Sequence, residues 1–203
     1  MTSLTYYQVE ENKLFFAKRF GLYLGIASMM MMFAGFTSAY IVKKADAATW
    51  TTFALPIHFY LSTAMIMLSS VTMHFAYRAF KNNHLKNYKR LLFATTVLGT
   101  GFIIAQITGW LRLNYEGIIM QEEISGAFLY VISGMHALHV LVGLLILVIS
   151  YWSISRKLRN PIYDLTMDVS PKRKFRVELV ATYWHFVDAL WLYLFIFLLY
   201  NQS

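Results

Sequence analysis

The chain has 203 residues, of which 58% are hydrophobic and only 14% are charged. Soluble domains carry about 25% charged residues, so this composition excludes an ordinary soluble domain and indicates a membrane protein. The net charge of +8 does not indicate nucleic-acid binding, because the basic residues fall almost wholly between apolar runs, where membrane orientation and anionic lipid explain them. The lack of cysteine excludes disulfides, iron–sulfur clusters and thiolate-bound copper or haem in these residues.

We predict an all-α fold, an integral membrane bundle of five transmembrane helices that forms one domain over residues 1–203. Each apolar run is long enough to cross a hydrocarbon layer of about 30 Å at a rise of about 1.5 Å per residue. The predicted spans are approximately 20–42, 55–77, 91–111, 127–152 and 178–200.

Small residues in the first and third spans indicate helix packing. Gly21, Gly25 and Gly35 should let neighbouring helices approach the first span closely. Pro56 suits the first turn of the second span. The third span carries further glycines and Gln106, whose simplest role is that of an interhelical hydrogen-bond donor.

The distribution of basic residues predicts the orientation. Fifteen Lys and Arg residues lie in the N-terminal segment and in the second and fourth loops, against three in the other loops and the C-terminus. The positive-inside rule therefore places the N-terminus in the cytoplasm and the C-terminus in the periplasm.

Four ionisable residues fall near the middle of the membrane in the last two spans. His136 and His139 are three residues apart in the fourth span, and His185 and Asp188 are three apart in the fifth. With antiparallel helices, His136 should lie at the depth of Asp188 and His139 at that of His185. An aspartate at the centre of a membrane costs roughly 2.5 to 3.5 kcal/mol on insertion scales, so these residues need partners.

Three interpretations of this polar layer stay open on the residues alone. The side chains could satisfy one another, or bound lipid and water, and hold helices together. They could bind a metal or a haem through two histidines. They could form a proton relay, for which histidine and aspartate in membranes are the usual parts.

The chain resembles subunit III of the haem–copper terminal oxidases, the cytochrome c and quinol oxidase group. The resemblance covers all five spans and is most specific in Tyr183–Trp191, read as YWHFVDALW. Gly134–Gly143, read as GMHALHVLVG, matches the family's fourth-helix signature, and Glu178 falls where the family has a glutamate. Mitochondrial members have two further N-terminal helices, so the chain is similar to the five-span bacterial form.

Two positions depart from the family pattern. Met29 stands where the first span of the family has a glutamate, and Gly109 stands where the third span often has an acid. Any role that requires a titratable acid in the first span is therefore in doubt.

The resemblance implies a bacterial inner-membrane subunit of a proton-translocating oxidase that reduces oxygen to water in aerobic respiration. Such a subunit has no catalytic residue, cofactor or metal of its own, because haem and copper belong to subunits I and II. It would pack mainly against subunit I, contact subunit II and a fourth subunit, hold phospholipids and support proton uptake. A complex that reduces cytochrome c, joined in a supercomplex, is a further candidate partner.

The resemblance favours the structural interpretation of the polar layer. The residues expected to make interhelical or lipid contacts are His136, His139, His185, Asp188, Tyr183, Trp184, Trp191, Gln106 and Glu178. Those expected to contact lipid phosphates are Arg156, Arg173, Lys174 and Arg176.

Two alternatives remain at this point. The electron donor of the complex could be quinol, or the complex could be a nitric-oxide reductase, since no residue of this chain contacts the donor. A more distant alternative is a small autonomous proton or ion transporter that uses the four mid-membrane ionisable residues.

Overall fold

The computed structural model describes residues 3–47, 50, 54–118, 124–158 and 171–202. Every regular element among them is an α-helix, and each of the five helices is long and apolar enough to cross a membrane. This result confirms the predicted all-α membrane fold. The helices are α1 (Ser3–Asp46), α2 (Ile57–Lys81), α3 (Leu85–Tyr115), α4 (Ile124–Lys157) and α5 (Pro171–Gln202).

The helices extend beyond the apolar spans at most of their ends. Most of the basic segment between the second and third spans is helical, and only residues 82–84 connect α2 to α3. Lys and Arg are good helix formers, so the backbone bonding continues past the point where hydropathy falls. Pro56 lies one position earlier than expected, as the residue that precedes the first helical residue of α2, with φ of −57° and ψ of 148°.

The turn between α2 and α3 depends on Asn83. Its φ of 60° lies in the left-handed region, which asparagine tolerates better than most residues. The backbone N–H of His84 then reaches the carbonyl of Ala79 at 2.9 Å, which closes the end of α2. The chain therefore reverses over three residues, and α2 and α3 lie side by side as an antiparallel pair.

A repeat of three and four residues forms the seam between α2 and α3. Such spacing keeps one stripe of each helix against its partner, as in coiled coils. Small residues in the stripe of α3 allow close contact, since a Cβ on Gly109 would lie 2.9 Å from the ring of Phe59. The buried positions of α2 are Phe59, Ser62, Ile66, Ser69, Met73, Ala76 and Phe80.

The helix α5 packs against α1, α2 and α4, and α4 packs against α1, α3 and α5, so these two helices hold the bundle together. The buried side chains of α5 include Trp184, Val187 and Trp191, which join the main hydrophobic core. This position explains why the strongest sequence signature falls in α5: its side chains must fit several neighbouring helices at once.

The helix α1 lies at the outside of the bundle. Phe33, Thr37 and Tyr40 are buried, and the Thr37 hydroxyl is 3.1 Å from the Tyr193 hydroxyl of α5. The glycine prediction is wrong within this chain, because a Cβ on Gly21, Gly25 or Gly35 would meet nothing within 4 Å. The small-residue stripe of α1 turns away from α4 and α5, which α1 contacts through larger side chains.

The glycine contacts give a paired test of the fold. Gly109→Ala should lower the free energy of unfolding by about 1 to 3 kcal/mol, because the added Cβ overpacks the ring of Phe59. Gly25→Ala should cause no loss, since that position faces open space. Thermal unfolding of the purified chain in detergent, followed by tryptophan fluorescence, measures both. Equal effects of the two substitutions would contradict the packing of α2 on α3.

Candidate functional site

The indole of Trp184 lies where α5 meets three other helices. It is 1% exposed, and its Nε1 donates a hydrogen bond of 3.1 Å to the Ser69 hydroxyl of α2. A Cβ on Gly99 of α3 would lie 2.9 Å from the indole, and one on Gly143 of α4 would lie 3.0 Å from it. The two glycines thus make the space that the indole fills, and the Ser69 hydroxyl satisfies its only polar group.

Trp191 repeats this arrangement two turns along α5. Its Nε1 donates to the Thr63 hydroxyl at 2.9 Å, so both indoles bond to hydroxyl groups of α2. Its ring centroid lies 5.1 Å from that of Phe102 on α3, with the planes at 83° in the edge-to-face manner that aromatic pairs favour. The two tryptophans therefore fix the rotation of α5 relative to α2 and α3.

His136 is fully buried beside Trp191, with ring centroids 4.8 Å apart. Its Nε2 lies 3.1 Å from the carbonyl oxygen of Val187. A carbonyl only accepts, so Nε2 carries the hydrogen and donates it. Nδ1 is buried and has no hydrogen-bond partner among the residues that the structure describes. The ring of His136 therefore links α4 to the backbone of α5, one residue before Asp188.

The other three ionisable residues of the layer have separate environments. His139 Nδ1 bonds to the carbonyl of Met135 in its own helix at 2.7 Å. His185 Nδ1 lies 2.7 Å from the Ser70 hydroxyl of α2. Asp188 is 2% exposed, and its carboxyl lies near the same Ser70 hydroxyl.

These contacts differ from the expectation that the histidines and the aspartate satisfy one another. No hydrogen bond joins any two of the four side chains in the described part of the chain. The reason is the rotation of α5: Trp184, Val187 and Trp191 occupy the side that packs into the core between α2, α3 and α4. His185 and Asp188 each follow one of these residues by one position, about 100° further round the helix, and lie next to Ser70 of α2.

The remaining members of the predicted contact set also join helices. Gln106 Nε2 donates to the Ser62 hydroxyl at 2.8 Å and links α3 to α2. The Tyr183 hydroxyl donates to the carbonyl of His139 at 2.9 Å and links α5 to α4. Glu178 forms a 2.9 Å ion pair with Arg19 of α1, but both side chains are nearly half exposed, so the pair contributes little on its own.

A cavity of about 390 Å³ lies at the end of the bundle where α5 begins and α4 ends. Arg173 and Arg176 line it together with Lys157. The rest of the wall is mostly apolar and comes from α4 and α5, with two serines of α4 and with Phe80 and Tyr88 from the ends of α2 and α3. Two other predicted phosphate contacts lie elsewhere. The Arg156 guanidinium stands 5.4 Å from the ring centre of Trp152, and Lys174 is exposed and does not line the cavity.

Sequence reasoning identified the polar residues of this region but not their pairing. The partners Ser62 and Ser69 lie on the buried stripe of α2, Thr63 lies beside it and is half-buried, and Lys157 lies at the end of α4. The repeat of three and four residues along α2 could have identified Ser62 and Ser69 as facing the bundle, but not Thr63.

The described residues contain no group of three or more His, Asp or Glu side chains that could hold a metal ion. The Nε2 atom of His136 is also not free to bind a metal, because it donates its hydrogen to a backbone carbonyl. The arrangement is that of a helical membrane subunit whose polar side chains join its helices.

Comparison with known proteins agrees with this class. The family model of cytochrome c oxidase subunit III matches residues 5–203, and the chain belongs to that family. It is 30% identical to the cytochrome c oxidase subunit 3 of Papio hamadryas over 188 residues, which cover 88% of this chain and 67% of the relative. It is 25% identical to that of Thermostichus vulcanus (86% and 83% covered) and 27% identical to that of Corynebacterium diphtheriae (90% and 87% covered). The resemblance seen in the sequence is confirmed, and the chain is part of an oxidase complex.

The bond between Trp184 and Ser69 can be tested by removing its acceptor. Ser69→Ala should lower the free energy of unfolding by about 1 kcal/mol or more, because the buried indole N–H loses its partner. Ser28→Ala is the matched control, since that exposed hydroxyl bonds to the carbonyl of Leu24 in its own helix. Detergent titration followed by tryptophan fluorescence measures both variants. A Ser69→Ala chain as stable as the Ser28→Ala chain would contradict the role given to the bond.

Proposed function

We propose that this chain is the accessory subunit III of a proton-translocating cytochrome c oxidase in a bacterial cytoplasmic membrane. The observation that carries the proposal is the family match, which runs over residues 5–203 and so includes every helix of the bundle. Partner subunits would hold the haem and copper and reduce oxygen. This chain would pack against subunit I, contact subunit II and stabilise the complex.

The polar layer acts in this proposal as a packing device and not as a reaction centre. The Nε2 of His136 donates a hydrogen bond to the backbone of α5, and the N–H groups of both indoles donate to hydroxyl groups of α2. Polar groups used in this way stabilise helix association in the membrane, by about 0.6 kcal/mol for an average bond. The layer would keep the bundle in a single shape that a partner subunit can recognise.

The autonomous transporter has weaker support. A proton relay needs hydrogen-bonded groups in series, yet His136, His139 and His185 each bond to a backbone carbonyl or a serine and not to one another. The carboxyl of Asp188 is enclosed and lies near the Ser70 hydroxyl, which also contacts His185. Ser70 thus brings His185 and Asp188 together, but the described contacts do not link this pair to His136 or His139.

The charges at the helix ends support the proposed orientation and a lipid-binding role. The start of α5, the end of α4 and the turn between α2 and α3 are basic and lie at one end of the bundle. By the positive-inside rule this end faces the cytoplasm. The cavity between α4 and α5 combines Lys157, Arg173 and Arg176 with apolar walls, which suits a phospholipid headgroup and the start of its acyl chains.

Support of proton uptake would then be indirect. Met29 provides no titratable group in α1, and Asp188 is enclosed, so the chain would act by holding subunit I and its lipids in place. An oxidase that lacks this subunit should retain its chemistry but lose its durability during turnover.

The proposal predicts the partners of the chain in its native membrane. A tagged chain solubilised in mild detergent should co-purify with subunits I and II of an oxidase, together with a haem absorption spectrum. Mass spectrometry of the purified material identifies these partners. A dicopper motif in the co-purified subunit II would assign cytochrome c as the donor, and its absence would assign quinol.

The same preparation separates the proposal from the transporter. A chain that purifies without oxidase subunits, and that carries a proton flux into liposomes abolished by Asp188→Asn, would overturn the assignment as an accessory subunit.

A further inference from the structure

Two histidines lie together at the surface of the bundle where α2 meets α5. The ring centroids of His74 and His185 are 6.4 Å apart. His74 is exposed and His185 is half-buried, so the pair can be reached from outside the bundle. Imidazole is the side chain that binds divalent transition metals most often, which makes the pair a candidate ligand site.

The residues beneath the pair orient His185. Its Nδ1 lies 2.7 Å from the Ser70 hydroxyl, and the carboxyl of Asp188 lies near the same hydroxyl. An ionised carboxylate only accepts hydrogen bonds, so the Ser70 hydroxyl donates to Asp188 and accepts the hydrogen on Nδ1 of His185. This order leaves the Nε2 of His185 with a lone pair and no hydrogen, as a metal ligand requires.

The same order of contacts is typical of histidines that bind metals. The ring nitrogen that does not bind the metal usually donates its hydrogen to a carboxylate, a carbonyl or a water, which fixes the tautomer and the direction of the ring. In this chain the Ser70 hydroxyl stands between the ring of His185 and the carboxyl of Asp188. Asp188 therefore acts on the pair through Ser70 and not as a ligand itself.

The charge of Asp188 also favours a cation at this place. Its side chain is 2% exposed, and it takes part in no ion pair within the described part of the chain. A carboxylate enclosed in a membrane protein is costly when no cation lies near it. A divalent ion at the histidine pair would lie on the far side of Ser70 and His185 and would offset part of this cost.

The spacing of the two rings fits one shared ion after a small movement. Zinc binds imidazole nitrogen at about 2.0 to 2.1 Å, so two rings on one tetrahedral ion have centroids about 5 Å apart. The observed separation of the centroids is 6.4 Å. Because His74 is exposed, its side chain can close this difference without disturbing the core.

We propose that His74 and His185 bind one divalent transition-metal ion of the zinc class between α2 and α5. The described residues offer no group of three or more such ligands, so water completes the coordination and the ion exchanges with its surroundings. The site lies two turns before Lys81, the last residue of α2, near the basic end of the bundle. Arg78 is exposed one turn beyond His74, and its long side chain can extend away from the ion toward the headgroups.

Zinc titration of the full-length chain tests the proposal, with the chain purified in detergent on a tag that contains no histidine. Competition with a chromophoric chelator measures the affinity. Ser70→Ala should weaken zinc binding about tenfold, the usual effect of removing a group that orients a ligand. His74→Ala should weaken zinc binding more than Ser70→Ala does, because it removes a ligand itself.

The matched control is His84→Ala, which removes an exposed histidine from the same end of the bundle and leaves the pair intact. Zinc should raise the Tm of the wild-type and His84→Ala chains, because an ion that joins two helices binds only the folded state. It should not raise the Tm of the His74→Ala chain. Bound Cu²⁺, used as a second probe, should show two nitrogen ligands by electron paramagnetic resonance in the wild-type chain and one in His74→Ala.

Three results would overturn the metal site. They are equal zinc affinity of the wild-type and His74→Ala chains, an equal loss of affinity in His84→Ala and His74→Ala, and an unchanged affinity in Ser70→Ala. Each of them would leave the assignment as an oxidase subunit intact, because that assignment depends on co-purification with oxidase subunits and not on zinc.

Discussion

The packing of the Trp184 indole between Gly99 and Gly143 is the constraint on which the rest of this bundle depends. It sets the distance of α5 from α3 and α4, and the bond from Nε1 to Ser69 sets its distance from α2. Once α5 is fixed in this way, Trp191 reaches Thr63 and His136 reaches the carbonyl of Val187. The helices are then held by shape and by a few buried hydrogen bonds, which is how helices associate in lipid, where apolar surface provides little driving force between them.

Much of the fold could be predicted from sequence because the bilayer imposes simple rules. A span must be long, apolar and helical, so hydropathy alone located the five spans. Four of them lie within an observed helix, and the span 55–77 begins two residues before α2. The same rules do not fix the rotation of a helix about its own axis. Gly21 and Gly25 therefore looked like packing residues and instead face open space, whereas Gly99 and Gly143 are in tight contact.

The candidate site shows the same division. Spacing placed His185 and Asp188 on one side of α5 and their depth matched that of the histidines of α4, but spacing could not show that this side faces α2. Trp184, Val187 and Trp191 decide the rotation through packing with α2, α3 and α4, and these contacts are distant in sequence. The sequence placed Arg173 and Arg176 among the expected lipid contacts, but it could not show that they share a cavity with Lys157, because Lys157 comes from a different helix.

An accessory subunit that holds its complex together should affect the lifetime of the enzyme more than its chemistry. The most direct measurement is oxygen consumption by the purified oxidase with and without this chain, followed over many turnovers together with the haem spectrum. We expect an unchanged haem spectrum and a similar initial rate, followed by a much faster decline in activity when the chain is absent. Immediate loss of oxygen reduction together with loss of haem absorption would contradict an accessory role and would indicate that the chain takes part in the redox centre itself.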